Sequence, residues 1–346
     1  MLSIALVLNF SLGAAFAIIV CKVINEIKGM VTELVYLITG GAGFIGSHVA
    51  ERLLARGDEV VILDNFNDYY DPAIKRANAT RLQEYAGVTV VEGDFRDVAL
   101  VRSLFAQHDI QSVAHLGAMA GVRMSMKQAP LYMDVNLTGT MNIYEAARDH
   151  GKPHIVFAST SSVYGKTQLL PFVETDTADR PLAAYPASKR AGELLAHTYF
   201  NVNQMETTVL RFFNVYGPAG RPDMMPMRLM EATVSGAELP IFNKGEISRD
   251  WTYIDDTGDG VIAALERPMG YEVINLGVGN PISLKDFIEI IEEFSNRTIA
   301  KNFVAAPPSE PPITYCNNNK ARELLDFDPQ YPVQDGLRKT WDWFRD

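Results

Sequence analysis

The segment AAYPASKRAG, residues 183–192, places Tyr185 four positions before Lys189. Four residues make about one helical turn, so both side chains project from the same face of a helix. A phenol with a pKa of about 10 is a poor base at neutral pH, and a nearby cation lowers that pKa. The pair could therefore act as a general base with its activating charge. A tyrosine and a lysine on the surface of an amphipathic helix are the alternative that this segment leaves open.

A second candidate site is the glycine-rich segment TGGAGFIGSH, residues 39–48, which follows the apolar run LVYLIT. The spacing of Gly40, Gly43 and Gly46 is typical of a tight turn whose backbone amides bind a pyrophosphate at a helix N-terminus. Asp64 ends the next apolar run, where a carboxylate accepts hydrogen bonds from a ribose diol and disfavours an added 2′-phosphate. The pattern predicts NAD rather than NADP; a glycine turn with a capping aspartate is the alternative.

The elements that must position these residues alternate between strand and helix. Apolar runs that predict strands cover residues 34–39, 59–64, 88–94, 112–117, 154–160 and 207–214, and helical stretches such as 130–149 separate most of them. Alternation of this kind predicts an α/β fold with a Rossmann-type, doubly wound parallel sheet. After Asn214 the elements become short and mixed, with helices near 284–296 and 318–325. We therefore predict an NAD-binding domain over 31–213 and a smaller mixed α/β C-terminal lobe over 214–346 that mainly binds substrate.

Composition excludes some partners. The formal net charge of −11 over 346 residues argues against nucleic-acid binding, which needs a basic face. Cys21 and Cys316 fit no metal or disulfide framework, so no metal site is predicted and a reducing, cytoplasmic location is the default.

Residues 1–21 carry no charge and are long enough to cross a bilayer. Residues 1–29 are therefore either a membrane anchor that leaves the domain cytoplasmic or a start-site artefact, with Met30 as the true start.

Further motifs connect these features to a known family. They are VEGDFRD at 91–97, ASTSSVYG at 158–165, YPASK at 185–189 and RFFNVYGP at 211–218. With the glycine loop, they resemble the extended short-chain dehydrogenase/reductase family. Within it the chain is similar to the nucleotide-sugar 4-epimerases. The segments GAMAGVRMSM, GRPDM, GEISRDWTYIDD and YCNNNKARELL resemble the UDP-glucuronate 4-epimerases most closely and the UDP-glucose 4-epimerases next.

The resemblance implies a role for each matching residue. Tyr185 would take a proton from a sugar hydroxyl while NAD takes hydride from the same carbon, Lys189 would keep the phenol acidic, and Thr160 would hydrogen-bond the reacting oxygen. The cofactor residues it implies are Gly40, Gly43, Phe44, Ile45, Gly46, Asp64, Asn65, Asp94, Phe95, Leu116, Gly117, Asn136, Tyr185 and Lys189. The substrate residues are Thr160, Ser161, Ser162, Asn214, Arg221 and Arg249. It also implies a homodimer.

One position helps to select the reaction. Dehydratases of this family carry an acid pair after the threonine, and the decarboxylase that makes UDP-xylose has a glutamate just before VYG, where this chain has Ser162. We therefore expect 4-epimerisation of UDP-glucuronate to UDP-galacturonate through a 4-keto intermediate. Asn214 stands where these epimerases usually have threonine, which weakens that choice of sugar. The alternatives are a UDP-glucose 4-epimerase, a UDP-glucuronate decarboxylase and a non-catalytic NAD-binding protein.

Overall fold

The computed structural model describes residues 34–307 and 310–346. Their strands, in chain order, are β1 (Val35–Thr39), β2 (Glu59–Asp64), β3 (Val88–Glu92), β4 (Ser112–His115), β5 (His154–Thr160), β6 (Thr207–Phe212), β7 (Asn214–Tyr216), β8 (Leu239–Phe242), β9 (Ser248–Tyr253), β10 (Tyr271–Leu276), β11 (Pro281–Ser283), β12 (Lys301–Val304) and β13 (Ile313–Thr314).

Seven of these strands form one parallel sheet in the order β10-β6-β5-β4-β1-β2-β3. β1 lies between β2 and β4, with Ile38 opposite both Ile62 and Ala114. The chain therefore changes direction across the sheet at β1 and β4, and ligands of such sheets bind beyond the carboxyl ends of the strands at this switch point. The predicted doubly wound parallel sheet is confirmed.

The helices are α1 (Phe44–Ala55), α2 (Pro72–Leu82), α3 (Val98–Gln107), α4 (Val122–Ser125), α5 (Ala129–Met133), α6 (Thr140–Asp149), α7 (Ala184–Asn203), α8 (Met225–Ser235), α9 (Ile254–Glu266), α10 (Leu284–Ser295), α11 (Asn319–Leu325) and α12 (Val333–Arg345). The helical stretch predicted at 130–149 is α5 and α6, joined by a π-helical turn at Asp134–Gly139. Successive strand residues such as Leu37 and Ile38 contribute to two different hydrophobic clusters, because side chains alternate across a strand.

The C-terminal part of the chain contributes to both regions of the fold. β7, β9, β11 and β13 form a smaller sheet, and β8 pairs with β12. β10, however, pairs in parallel with β6 as an edge strand of the main sheet. The main sheet therefore includes one strand from within residues 214–346.

Asp250 on β9 connects the two sheets. Its carboxylate accepts hydrogen bonds from the backbone amides of Val278 and Gly279, which follow β10, and of Cys316, which follows β13.

No helix among the described residues combines the length and the apolar character needed to cross a bilayer. The anchor predicted within residues 1–29 lies outside the described residues.

Candidate active site

The glycine loop between β1 and α1 is built for close backbone packing. Gly40 has φ +67°, and a Cβ there would lie 2.7 Å from Cα of Gly117. A Cβ on Gly46 would lie 2.3 Å from the carbonyl oxygen of Gly40. Gly43 is the N-cap of α1 and has no side-chain cap, so the amides of the first turn, which Phe44 and Ile45 begin, keep free N–H groups. Such a turn can bind an anion.

Asp64 lies at the carboxyl end of β2, beside this loop. Its two carboxylate oxygens accept hydrogen bonds from the amides of Ala42 (3.2 Å) and Phe66 (2.9 Å). Burial raises the pKa of Asp64, while these two bonds oppose the rise. Each oxygen keeps a lone pair for a further donor such as a ribose hydroxyl.

Asn65 and Asp94 meet beyond the ends of β2 and β3. Asn65 Nδ2 donates to Asp94 (3.0 Å), and Arg96 binds the same carboxylate through Nε (3.0 Å) and Nη2 (2.7 Å). Burial raises the pKa of Asp94, but these bonds outweigh it and hold that pKa at about 2. Phe95 packs edge-on against His115, with ring centroids 5.3 Å apart.

His115 connects the glycine loop to the π-helical turn through a directional chain of hydrogen bonds. Thr39 Oγ1 accepts from the amide of Gly117 (3.1 Å) and lies 2.7 Å from His115 Nδ1. His115 Nε2 lies 2.8 Å from Thr140 Oγ1, whose proton goes to the carbonyl of Asn136 (2.6 Å). Thr140 must therefore accept from Nε2–H, and Nδ1 must accept from Thr39. Burial and the charge of Lys189 lower the pKa of His115 to about 3, so the ring is neutral.

Asn136 extends this chain to the helix that carries the tyrosine and lysine. Its side chain binds both backbone groups of Met119, and its Nδ2 also donates to Ser188 Oγ at 3.0 Å. Ser188 Oγ donates in turn to the carbonyl of Tyr185 at 2.7 Å. The predicted cofactor residue Leu116 follows β4 next to Gly117, so the predicted cofactor set gathers at one edge of the sheet.

Tyr185 and Thr160 come together where β5 ends and α7 begins. Burial raises the pKa of the Tyr185 phenol, while the charge of Arg221 and hydrogen bonding with Thr160 lower it. The charge of Arg221 therefore acts on the phenol in addition to that of Lys189, to which the resemblance assigns the activating role. Thr160 Oγ1 accepts from the amide of Ser162, and Ser161 and Ser162 form the 3-10 turn that follows.

Lys189 is buried below this tyrosine. Its ammonium lies 4.8 Å from the centre of the Phe157 ring and has no hydrogen-bond partner among the described residues. Burial lowers the pKa of Lys189 to about 7, against the opposing charge of Glu193. A buried ammonium without an acceptor is expensive, so this site fits a ligand that brings hydroxyl oxygens.

The predicted substrate arginines are both held by acidic side chains. Arg221 makes a two-bond ion pair with Asp223 (3.0 and 2.6 Å) and lies over the ring of Tyr69. Arg249, which is 12% exposed, is paired with Glu310. These ion pairs occupy part of each guanidinium, so an anionic substrate would compete there with Asp223 or Glu310.

Asn214 begins β7 and is half-buried, paired in register with Trp251 on β9.

Several polar side chains of this region were absent from the sequence prediction: Tyr69, His115, Glu193, Asp223 and Glu310. The sequence could have identified Glu193 as part of this site, because it lies one helical turn beyond Lys189, which lies one turn beyond Tyr185. The others depend on contacts between distant segments, for which the sequence pattern offers no signal.

This fold and this edge of the sheet define an enzyme of the NAD dependent epimerase/dehydratase family, and the chain belongs to it: the family's model matches residues 36–277. The chain is 41% identical over 326 residues to UDP-glucuronate 4-epimerase 4 of Arabidopsis thaliana, a match that covers 89% of this chain and 74% of that protein.

Solved structures show the same likeness. The UDP-glucuronic acid 4-epimerase of Bacillus cereus, in complex with UDP-glucuronic acid and NAD, is 35% identical with a TM-score of 0.83, over 90% of this chain and 99% of that one. The UDP-glucose 4-epimerase of Thermotoga maritima, with UDP-glucose, also has a TM-score of 0.83 but is 27% identical, over 90% and 99% of the two chains.

Proposed function

We propose that this protein is an NAD-dependent UDP-glucuronate 4-epimerase, which interconverts UDP-glucuronate and UDP-galacturonate through a transient 4-keto sugar. The observation that carries the proposal is at the end of β5, where Thr160 hydrogen-bonds Tyr185 and is followed by Ser161 and Ser162 rather than by acidic residues. The 41% identity to a protein named UDP-glucuronate 4-epimerase 4 supports the choice of sugar.

The residues present fit NAD. The free amides of the first turn of α1 suit a pyrophosphate, and the glycine loop leaves no room there for side chains. Asp64 retains acceptor capacity for a ribose diol, and the ammonium of Lys189 lacks an acceptor that ribose hydroxyls could supply. NAD held by these residues would supply the hydride acceptor and donor for carbon 4 of the sugar.

The side chains of this chain then handle the proton and the sugar. Tyr185 takes the proton from the 4-hydroxyl as general base, and Thr160 donates a hydrogen bond to the same oxygen. The charge of Arg221 favours the phenolate. Once the 4-keto sugar has turned, Tyr185 returns the proton to the oxygen as the hydride returns to carbon 4, so the reaction has no net redox change.

The same residues limit a competing reaction. A 4-keto glucuronate has its carbonyl β to the carboxylate and loses carbon dioxide when the breaking bond aligns with the carbonyl π system. Ser161, Ser162 and the amide of Asn214 are donors that can hold the carboxylate away from this alignment. We therefore propose that little UDP-pentose is formed.

A time course of anomeric proton signals by NMR tests this function. UDP-glucuronate supplied to the purified protein is expected to give UDP-galacturonate as the main product. Ser162→Glu is expected to slow epimerisation sharply, because a carboxylate would lie beside that of the substrate. Clean interconversion of UDP-glucose and UDP-galactose, with UDP-glucuronate unchanged, would replace the proposal with the UDP-glucose 4-epimerase alternative.

We also propose that the protein is a homodimer with a cytoplasmic catalytic domain. Residues 31–213 would bind NAD, and residues 214–346 would mainly bind the UDP-sugar.

Residues 1–29 contribute none of the proposed site, so a variant that begins at Met30 is expected to keep its activity. Sedimentation velocity tests the dimer, and fractionation of cells that express the full chain separates an anchor from a start-site artefact. Loss of NAD binding in the shortened variant would contradict the prediction.

A further inference from the structure

Tyr69 connects two distant parts of the chain at the candidate site. It lies in the segment between β2 and α2, and its hydroxyl donates to Asp223, in the segment between β7 and α8, at 3.4 Å. Its ring faces the guanidinium of Arg221, whose Cζ lies 5.3 Å from the ring centre. One tyrosine therefore contacts both members of an ion pair that lies about 150 residues further along the chain.

The ion pair uses one edge of the Arg221 guanidinium. Nε and Nη2 donate to the two oxygens of Asp223 at 3.0 and 2.6 Å. A guanidinium is a rigid planar fork, so the N–H groups of Nη1 and the second N–H of Nη2 remain outside the pair. This second edge can bind an oxyanion through two parallel hydrogen bonds, and its direction is fixed as long as the first edge is held.

The pair needs support to keep that direction. The side chains of Arg221 and Asp223 are 20% and 40% exposed. An ion pair that water reaches in this way holds its geometry weakly by itself. Tyr69 supplies the support, because its ring covers the cation while its hydroxyl binds the carboxylate.

Tyr69 is itself fixed at its backbone and at its hydroxyl. Its amide donates to Asn67 Oδ1 at 3.2 Å, and the buried ammonium of Lys75 binds the same oxygen at 3.0 Å. At the other end, a Cβ on Gly121 would lie 2.2 Å from the Tyr69 hydroxyl, so this oxygen occupies the space that a side chain would need. The tyrosine is therefore a firm support.

The residue before Gly121 connects this support to the proposed base. The carbonyl of Ala120 accepts a hydrogen bond from the hydroxyl of Tyr132. The ring of Tyr132 packs edge-on against that of Tyr185, with centroids 6.3 Å apart. These contacts place Tyr69, and the ion pair that it holds, beside the proposed reaction centre.

We infer that Tyr69 is a positioning residue, whose ring and hydroxyl hold the Arg221–Asp223 pair so that the second edge of the guanidinium binds an anionic group of the substrate. The inference rests on the proposed function, in which the substrate is a UDP-sugar. UDP-glucuronate has two anionic groups, the sugar carboxylate and the diphosphate, and the binding test below distinguishes them.

The first test measures how firmly Arg221 is held. NMR follows its Nε–H in full-length protein with ¹⁵N-labelled arginine, with the signal assigned by its loss in Arg221→Lys. Tyr69→Phe removes the hydrogen bond to Asp223, so exchange of this proton with water should become about threefold faster. Tyr69→Leu also removes the ring face, and an increase of about tenfold is expected. No substrate is needed, so the result does not depend on the proposed function.

Two references show whether the effect is local. Tyr70→Phe removes a hydroxyl from the next residue, whose ring faces Lys75, so the Arg221 signal should not change. The Nε–H of Arg211, which donates to Glu193 at 3.0 Å, should keep its exchange rate in every variant. Unaltered exchange at Arg221 in Tyr69→Leu, or equal acceleration at Arg211, would overturn the inference.

The second test measures ligand binding by titration calorimetry with NAD present. Tyr185→Phe serves as the background, because it is expected not to convert the sugars. Adding Tyr69→Leu should weaken UDP-glucuronate binding by about tenfold, and Tyr69→Phe should retain part of the affinity. If UDP-glucose keeps its affinity, the second edge binds the carboxylate; an equal loss for both ligands, with Arg211 exchange unchanged, assigns it to the diphosphate.

Unchanged affinity for both ligands in the Tyr69→Leu variant would show that Tyr69 does not position Arg221 for binding. A Tyr185→Phe protein that binds UDP-glucose but not UDP-glucuronate would instead contradict the proposed sugar. The inference about Tyr69 would then be decided by UDP-glucose binding and by the Arg221 exchange rate.

Discussion

Tyr185 supplies the proton acceptor of the proposed reaction, and its hydroxyl is the one group that phenylalanine removes. We expect Tyr185→Phe to lower kcat by about a hundredfold or more, because general-base catalysis is lost. The glycine loop and Asp64 are unchanged, so NAD should remain bound. Single-turnover assays and the NAD content of the purified variant check both parts. Retention of a substantial fraction of the wild-type rate would remove Tyr185 from the mechanism.

The ion pair between Arg221 and Asp223 offers a second test at the scale of the residue. Because Arg221 lowers the pKa of Tyr185, Arg221→Gln should raise that pKa and move the acid limb of kcat to higher pH. Asp223→Asn leaves Arg221 without its acidic partner and should move the same limb to lower pH. The profiles are measured at saturating substrate, so that weaker binding does not mimic a pKa change. Shifts of the same sign in both variants would contradict this account.

Among the structural elements, the glycine loop makes the sharpest steric demand. Gly46→Ala places a Cβ 2.3 Å from a backbone oxygen, whereas Gly43→Ala meets the same oxygen at 3.1 Å. The first substitution must move α1 away from the loop, so we expect it to weaken NAD binding by at least about tenfold and to cost roughly 1–3 kcal/mol of stability. Gly43→Ala is the milder comparison. Calorimetric titration of both variants with NAD measures the difference.

The strands and the cofactor edge were predictable from sequence, because buried parallel strands are continuous apolar runs and the glycine spacing marks the turn after β1. The π-helical turn at Asp134–Gly139 was not predictable, since the apolar period of 130–149 matches an ordinary helix. The return of β10 to the main sheet and the acidic partners of Arg221 and Arg249 were also missed. They arise from pairings between distant segments, which local patterns do not encode.

For the whole molecule, buried histidines make stability depend on pH. Burial lowers the pKa of His154 to about 4, against a hydrogen bond to the backbone carbonyl of Leu265 that raises it. Below about pH 6.5 the unfolded chain takes up a proton that the folded chain does not, so this histidine costs stability as the pH falls from about 6.5 to 4. Above that window it has no effect.

His154→Gln isolates this contribution, since the other ionisable groups remain in place. Relative to the variant, the wild type should lose up to about 1.4 kcal/mol per pH unit across the window. Urea denaturation at several pH values measures the difference. A difference in stability that does not change between pH 6.5 and 4 would show that folding does not lower the pKa of His154.

The position of β10 at the edge of the main sheet, beside β6, also sets the order in which the molecule can be completed during its synthesis. When β6 leaves the ribosome, its outer edge is an unpaired row of backbone donors and acceptors. The strand that covers it is made roughly 60 residues later, which takes several seconds at about 5–20 residues per second. For that interval the nascent chain has an open sheet edge, the type of surface that pairs with other chains. Chaperone binding and ribosome pausing between codons 212 and 276 should therefore affect the yield of native protein more than similar events elsewhere.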